Sequence, residues 1–458
     1  MAAGAAVAAF TLSDDGNDSQ NKSHLTTTLQ VYGNADGNWT VDGDDADLIQ
    51  KIIDCNSDDD VSNDIDWGSQ YPFADADHNG VVDSDDKAQA EALANNTATY
   101  VCFNDGLGEF MKVKTNPQRI YAFQVQNAQI CAIMGVGDRV IAGGPPIENY
   151  ADILFGEGKS ESGQWFSGDW ERMAKLNLDM YLVFSPTQKE SPTQHLPDTD
   201  VVYLGLYEPD CINLESSVWA QGILEAGYIF GNKERAENYL SFLIDLKNTI
   251  YSISSQISDE DKERILVSNY GHYLTNEDDA TLSAYLKADT VSQAVDLAGG
   301  YNVAQENAGY DSGAYGSTIE AEWLNDHKVD FITMHFQRYA WKGVDTSVPE
   351  GGWTATDASG MYEAIAGVAD QPLLVQNNID KDHLIMLPQE FRNGSTGGIM
   401  AAAYFVQAFY PEQCEKAGFD PDDYMEEFCV NWLSLDGYDF SEHRDAIIAW
   451  GDRPKADD

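Results

Sequence analysis

Basic residues are scarce. Lysine and arginine number 26 in 458 residues against 77 aspartates and glutamates, a formal net charge of −51. Such a surface repels phosphate backbones and anionic lipid, so nucleic acid is excluded as a partner. Beyond the first residues the chain lacks any run of about 18 uninterrupted apolar residues, so no membrane-spanning helix is predicted. Cysteine is sparse too. Cys55, Cys102, Cys131, Cys211, Cys414 and Cys429 form no CxxC pair, which argues against a zinc or dithiol motif. In an oxidising exterior Cys414 and Cys429 are the nearest candidates for a bridge, with connectivity left open. The eight histidines are scattered singly, and no HExxH pair, GxSxG elbow or phosphate-cradling glycine loop is present. Gly143-Gly144-Pro145-Pro146 reads as a rigid turn. No enzyme is expected from this inventory.

What is present divides in two. Apolar residues make up 43% of the chain, and its length suits two or three folding units. Met1 to Phe10 is small and apolar and gives way to polar Thr11 to Ser23, so residues 1–24 read as a residual signal segment and linker. Five Asn-x-Ser/Thr triplets, at Asn17, Asn21, Asn38, Asn95 and Asn393, are compatible with export. An extracellular or cell-surface monomer is expected.

Residues 25–98 are rich in Asp, Asn and Gly; the rest alternates strand-like and helix-like segments, the pattern of α/β domains. Tyr100 to Val113 predicts a β-hairpin around an Asn-Asp-Gly-Leu-Gly turn. Ser216 to Ile257 lacks proline, and Tyr239, Phe242, Leu243, Leu246 and Ile250 recur at spacings of three and four. That predicts one amphipathic helix after Gly231, roughly 37 Å long. The expected units are residues 25–98, a first α/β lobe over 99–231, a connecting helix over 232–257 and a second lobe over 258–458.

Asp75, Asp77, Asn79, Asp83 and Asp86 fall at positions 1, 3, 5, 9 and 12 of a twelve-residue calcium loop, with Gly80 at the sharp turn and the Val81 carbonyl at position 7. Alternate short oxygen side chains on a tightly wound loop supply the six to eight oxygens that calcium takes. A second copy precedes it at Asn34, Asp36, Asn38, Thr40, Asp42 and Asp45, with Trp39 where glycine is expected; lower affinity is predicted there. Each loop runs into a short helix. Ending in Asp45 and Asp86, the pair resembles a dockerin, a small α-helical EF-hand-like domain, over about residues 31–96. The resemblance implies one or two Ca²⁺ ions and a cohesin-like partner. The two loops start 41 residues apart, farther than in compact dockerins, with an insertion around 54–72.

From Asn116 onward the segments NPQRIYAF, GVGDRVIAGG, DWERMAKLNLDMYLVF, DLAGGYNVA and AEWLNDHKVDFITM occur in one order. That order resembles the periplasmic solute-binding family that delivers ferric siderophores, haem, cobalamin and related metal chelates to ABC importers. The resemblance implies two Rossmann-like α/β lobes bridged by one long helix, with a chelate held where strand C-terminal ends meet. On the first lobe the strand-end loops carry Phe123, Gln124, Gln126, Gly143, Gly144, Trp165, Phe166 and Tyr207; on the second, Tyr270, His272, His335, Arg338, Tyr339 and Arg392. Aromatic rings offer flat apolar area, and arginine can pair with an anionic chelate. Glu171 and Glu322 match positions where the family docks on its ABC permease. Two alternatives stand beside this reading: a structural cell-surface protein that uses the calcium module for assembly, and a chelatase-type enzyme on the same architecture.

Overall fold

The structure, a computed structural model, describes residues 24–57, 62–271, 281–320, 322–336, 351–435, 437–451 and 453. Two α/β lobes and a small N-terminal helical module are joined around one long helix, as the sequence predicts.

The N-terminal module contains α1 (Gly43–Ser57), the single turn α2 (Trp67–Gln70) and α3 (Ser84–Ala94), with α1 and α3 packed together. The hairpin follows as β1 (Tyr100–Asn104) and β2 (Phe110–Lys114), antiparallel from Tyr100↔Lys114 to Asn104↔Phe110. It does not simply open the first lobe. Val31 bridges Phe103, and the Tyr32 amide donates to the Cys102 carbonyl at 2.9 Å, so the N-terminal module adds to the hairpin edge. Leu29, Val31, Val41, Ile49 and Ile52 are fully buried in a cluster that continues into both lobes. The module is thus part of the body and not a free appendage.

The first lobe is a parallel sheet in the order β4-β3-β5-β6, from β3 (Ile120–Ala122), β4 (Val140–Gly143), β5 (Met180–Leu182) and β6 (Asp200–Val202). Around it lie α4 (Val125–Ile133), α5 (Ala151–Phe155), α6 (Trp170–Ala174) and α7 (Glu190–His195). The central strands β3 and β5 are buried throughout and read as continuous apolar runs, as parallel strands do.

Then α8 (Val218–Phe230) leads to α9 (Lys233–Ser254). Between them Gly231 takes φ +71°, and a Cβ there would meet the Asn116 side chain at 2.9 Å, so the elbow calls for glycine. At 22 residues α9 spans about 33 Å. Tyr239, Leu243, Leu246 and Ile250 are buried along it, as the spacing predicts, whereas Phe242 is half-buried and Leu240 joins the buried face.

The second lobe is a five-stranded sheet in the order β13-β12-β11-β7-β9: β7 (Arg264–Asn269), β9 (Tyr301–Asn302), β11 (Phe331–His335), β12 (Leu384–Leu387) and β13 (Ala449–Trp450), the last antiparallel to β12. A separate antiparallel pair, β8 (Thr281–Tyr285) and β10 (Gly316–Glu320), flanks β7. Its helices include α10 (Thr290–Leu297), α11 (Trp323–Asp326), α12 (Ser359–Ala369) and α13 (Gly394–Phe409). The run GSTGGIMAAA lets α13 approach its neighbours closely: a Cβ on Gly398 would lie 2.4 Å from the Cys211 sulfur. Packed on α9 and α10, α13 ties the second lobe to the bridging helix. All six cysteines are free thiols, so no Cys414–Cys429 bridge forms.

Candidate functional site: the inter-lobe cleft and the acidic loops

In an open parallel sheet a ligand crevice forms where strand order reverses, outside the carboxyl ends of the strands. In the first sheet that point lies between β3 and β5, whose following residues include Phe123 and Phe184, with ring centroids 6.4 Å apart. In the second it lies between β7 and β11. Their last residues, Asn269 and His335, are paired in register.

A connected polar cluster occupies this second point. Tyr285 OH lies 2.8 Å from His335 Nδ1, and Asn269 Nδ2 donates to the same hydroxyl at 3.0 Å. Burial, reinforced by Arg392, holds the His335 pKa well below the usual histidine range, so the ring is neutral. Asn269 Nδ2 lies 3.4 Å from Nδ1 as well, so Nδ1 has two polar neighbours. Arg392 lies over the Tyr285 ring at 4.4 Å, and its Nε donates to Asp289 Oδ2 at 2.7 Å. Burial alone would lower the arginine pKa, but Asp289 outweighs it and keeps the guanidinium charged. Asp289, 1% exposed, also caps α10 by accepting from the Val291 amide.

The lobes meet on both flanks. Tyr207 lies tilted against Phe184 at 4.2 Å and faces Tyr315 of the second lobe at 5.8 Å. Tyr150 approaches Trp353 at 5.3 Å. Between the lobes lies a cavity of about 10 Å³ bordered by Gln126, Gln129, Tyr239, Asn393 and Thr396, room for about one water.

Phe123, Tyr207, His335 and Arg392 thus come together at the strand ends, and Gln126 lines the cavity below. Gln124 sits at the start of α4 without capping it through its side chain. Gly143 and Gly144 pack against the backbone after β3; a Cβ on Gly144 would lie 2.0 Å from the Phe123 carbonyl. Other candidates are used elsewhere. Trp165 is buried against Phe155 and donates its indole N–H to Lys159 O; Phe166 lies under the Arg172 guanidinium, 3.8 Å away; and Tyr270 fills the second lobe's core. His272, Arg338 and Tyr339 lie outside the described residues. Asn269, Tyr285, Asp289 and Tyr315 are part of the cluster without having been predicted.

The two acidic loops repeat one hydrogen-bond pattern. Asp36 and Asp77 amides donate to Asp45 and Asp86 Oδ1, each at 3.0 Å. Asp42 and Asp83 amides donate to the matching Oδ2, each at 2.8 Å. Asn38, Asn79, Thr40 and Val81 amides close the same Asx turns. In the second loop, oxygens of Asp75, Asp77 and Asp86 lie within 4.8 Å of one another, and Gly80 takes φ +93° at position 6. In the first, fully buried Asn34 turns Nδ2 to the Leu29 and Asn38 carbonyls, and Oδ1 is left without a donor. A buried acceptor beside clustered carboxylates suits a cation. Burial first, then the neighbouring carboxylates, push Asp45 up to about 7 and Asp86 to about 6. In the second loop the converging carboxylates fit Ca²⁺; in the first, the unpartnered Asn34 Oδ1 would be the added ligand, and the position-7 carbonyls of Thr40 and Val81 would complete the two sets.

Glu171 lies in the first turn of α6, exposed and paired with Lys175 at 2.8 Å; Glu322, also exposed, precedes α11.

No protein-family model matches this chain, and no curated protein matches its sequence. Solved structures do match in shape. The TroA-like periplasmic binding protein FepB from Veillonella parvula superposes with a TM-score of 0.54 at 14% identity, over 73% of this chain and 96% of its own. A periplasmic solute binding protein from the same organism gives 0.54 at 14%, over 76% and 96%. The molybdate periplasmic binding protein MolA from Haemophilus influenzae gives 0.51 at 13%, over 73% and 98%. At such identities the likeness is one of architecture: the two lobes and bridging helix of this chain have the fold of TroA-like periplasmic binding proteins.

Proposed function

We propose that this chain is the extracytoplasmic binding component of an ABC importer, holding a metal chelate or related anionic metal complex in the inter-lobe cleft without transforming it. The observation that carries this reading is the Asn269–Tyr285–His335–Arg392 cluster at one strand-order reversal, facing the Phe123–Phe184–Tyr207 aromatics at the other. The cluster gives a guanidinium neutralised and held by Asp289, a neutral imidazole and flat apolar area, a set suited to a metal complex with an organic periphery. Its polar groups are committed to one another, which favours a fixed binding surface over proton transfer. The solved relatives in shape are described as binding proteins, one of them for molybdate, and no helix among the described residues is long and apolar enough to cross a membrane. Ferric siderophore, haem and corrinoid are the chelates to test. In this reading Glu171 and Glu322 face the permease, and the calcium-loaded N-terminal module serves attachment or assembly, with a cohesin-like protein as partner.

A second reading, a surface assembly protein without a small-molecule ligand, is favoured by the approach of Tyr207 to Tyr315 across the cleft. One experiment separates the two. Native mass spectrometry and absorbance of the purified chain, alone and with ferric siderophore, haem, cobalamin or molybdate, are expected to show one stoichiometric complex. An unshifted mass with every ligand would leave the assembly reading.

A further inference from the structure

The first acidic loop grips the elbow between α8 and α9. The Thr40 hydroxyl donates to Glu237 Oε1 at 2.7 Å, the Val41 amide donates to Tyr228 OH at 2.7 Å, and Lys233 Nζ donates to the Val41 carbonyl at 2.8 Å. Tyr228 lies before Gly231 on α8, whereas Lys233 and Glu237 lie after it on α9, so both arms are held. Thr40, Tyr228, Lys233 and Glu237 are each at most 9% exposed. At the equivalent place in the second loop, Val81 is 57% exposed. Two loops of one pattern therefore have different surroundings, one built into the body and one facing outward.

We propose that calcium in the first loop is a clamp on this elbow, so that the stability of the two-lobed body depends on calcium; this rests on the calcium reading above. Thr40 is position 7, where the backbone carbonyl turns to the ion. Without a cation, Asp36, Asp42 and Asp45 repel one another and the buried Asn34 Oδ1 has no partner. Opening the loop relieves both, but it withdraws Thr40 and Val41 from the elbow. An ion that binds the closed loop and not the unfolded chain stabilises everything that unfolds with it.

The test uses the full chain with CaCl₂ or EDTA, followed by calorimetric unfolding, calcium titration calorimetry and hydrogen exchange. At a hundredfold excess over Kd, calcium is expected to raise the Tm of the main transition by about 3 °C. Asp86→Ala, which spoils the outward loop, keeps most of that rise, whereas Asp45→Ala loses it. Thr40→Val still binds calcium in both loops, but the rise falls to half or less, and exchange at 228–237 no longer slows with calcium. Calcium uptake by both loops with the main transition unmoved overturns the clamp alone. No calcium heat up to millimolar concentration overturns the clamp and the calcium reading together.

Discussion

Tyr285 OH and His335 Nδ1 lie 2.8 Å apart, joining the end of β8 to the end of β11 at the point where the second sheet reverses its strand order. The contact orients a neutral imidazole at the cleft. Replacing Tyr285 by Phe removes the shorter of the two contacts at buried Nδ1 and leaves Asn269 Nδ2 at 3.4 Å. Urea unfolding should show a loss of about 1–2 kcal/mol, and ligand affinity should fall with it. A loss under about 0.3 kcal/mol would mean that the contact contributes nothing.

Arg392 and Asp289 form a partly buried pair beside that contact. Arg392→Met strands a carboxylate that is 1% exposed, so a loss of about 3 kcal/mol is expected, with loss of anionic ligand binding. Arg392→Lys should recover part of the stability and less of the binding, because an ammonium lacks the planar fork. Equal binding by the Met variant and the native chain would remove Arg392 from the site.

Charge reversal of both Glu171 and Glu322 should abolish uptake by reconstituted transporter while leaving ligand affinity in solution unchanged. Both side chains are exposed, and neither touches the cleft cluster, so a fall in soluble affinity would contradict the docking role.

Asp296 on α10 gives a pH signature. Burial pushes its pKa up to about 6, against the pull of Lys287 and Lys262. A carboxyl raised in the folded state costs stability once both states are ionised, above about pH 6, and that cost fades as pH falls toward the unfolded value near 4. Asp296→Asn should therefore be more stable than the native chain by about 2 kcal/mol at pH 7.5, and the gain should vanish near pH 4. A gain that does not change with pH would assign it to packing.

Much of the fold was legible in the sequence because it rests on periodicity. The buried stripe of α9, the apolar runs of β7 and β11, and the Asn-Asp-Gly turn before β2 each carry their own signal. The close approach of α13 carries none: GSTGGIMAAA is poor in helix propensity and apolar on all sides, and only its neighbours make it a helix. The site divides the same way. His335 ends a strand-like segment and can be placed by counting, and Arg392 lies in the loop after the next one. Asn269, Tyr285 and Asp289 join them through three-dimensional pairing of β7, β8, β11 and the start of α10, which no spacing reports. Trp165 and Tyr270 show the converse: an aromatic near a strand end is as able to fill a lobe interior as to face a ligand.

The six free thiols, five of them buried, have a practical consequence. With no covalent crosslink between elements, maturation does not draw on the oxidising power of any compartment. At a fixed calcium concentration its melting curve should be indifferent to dithiothreitol.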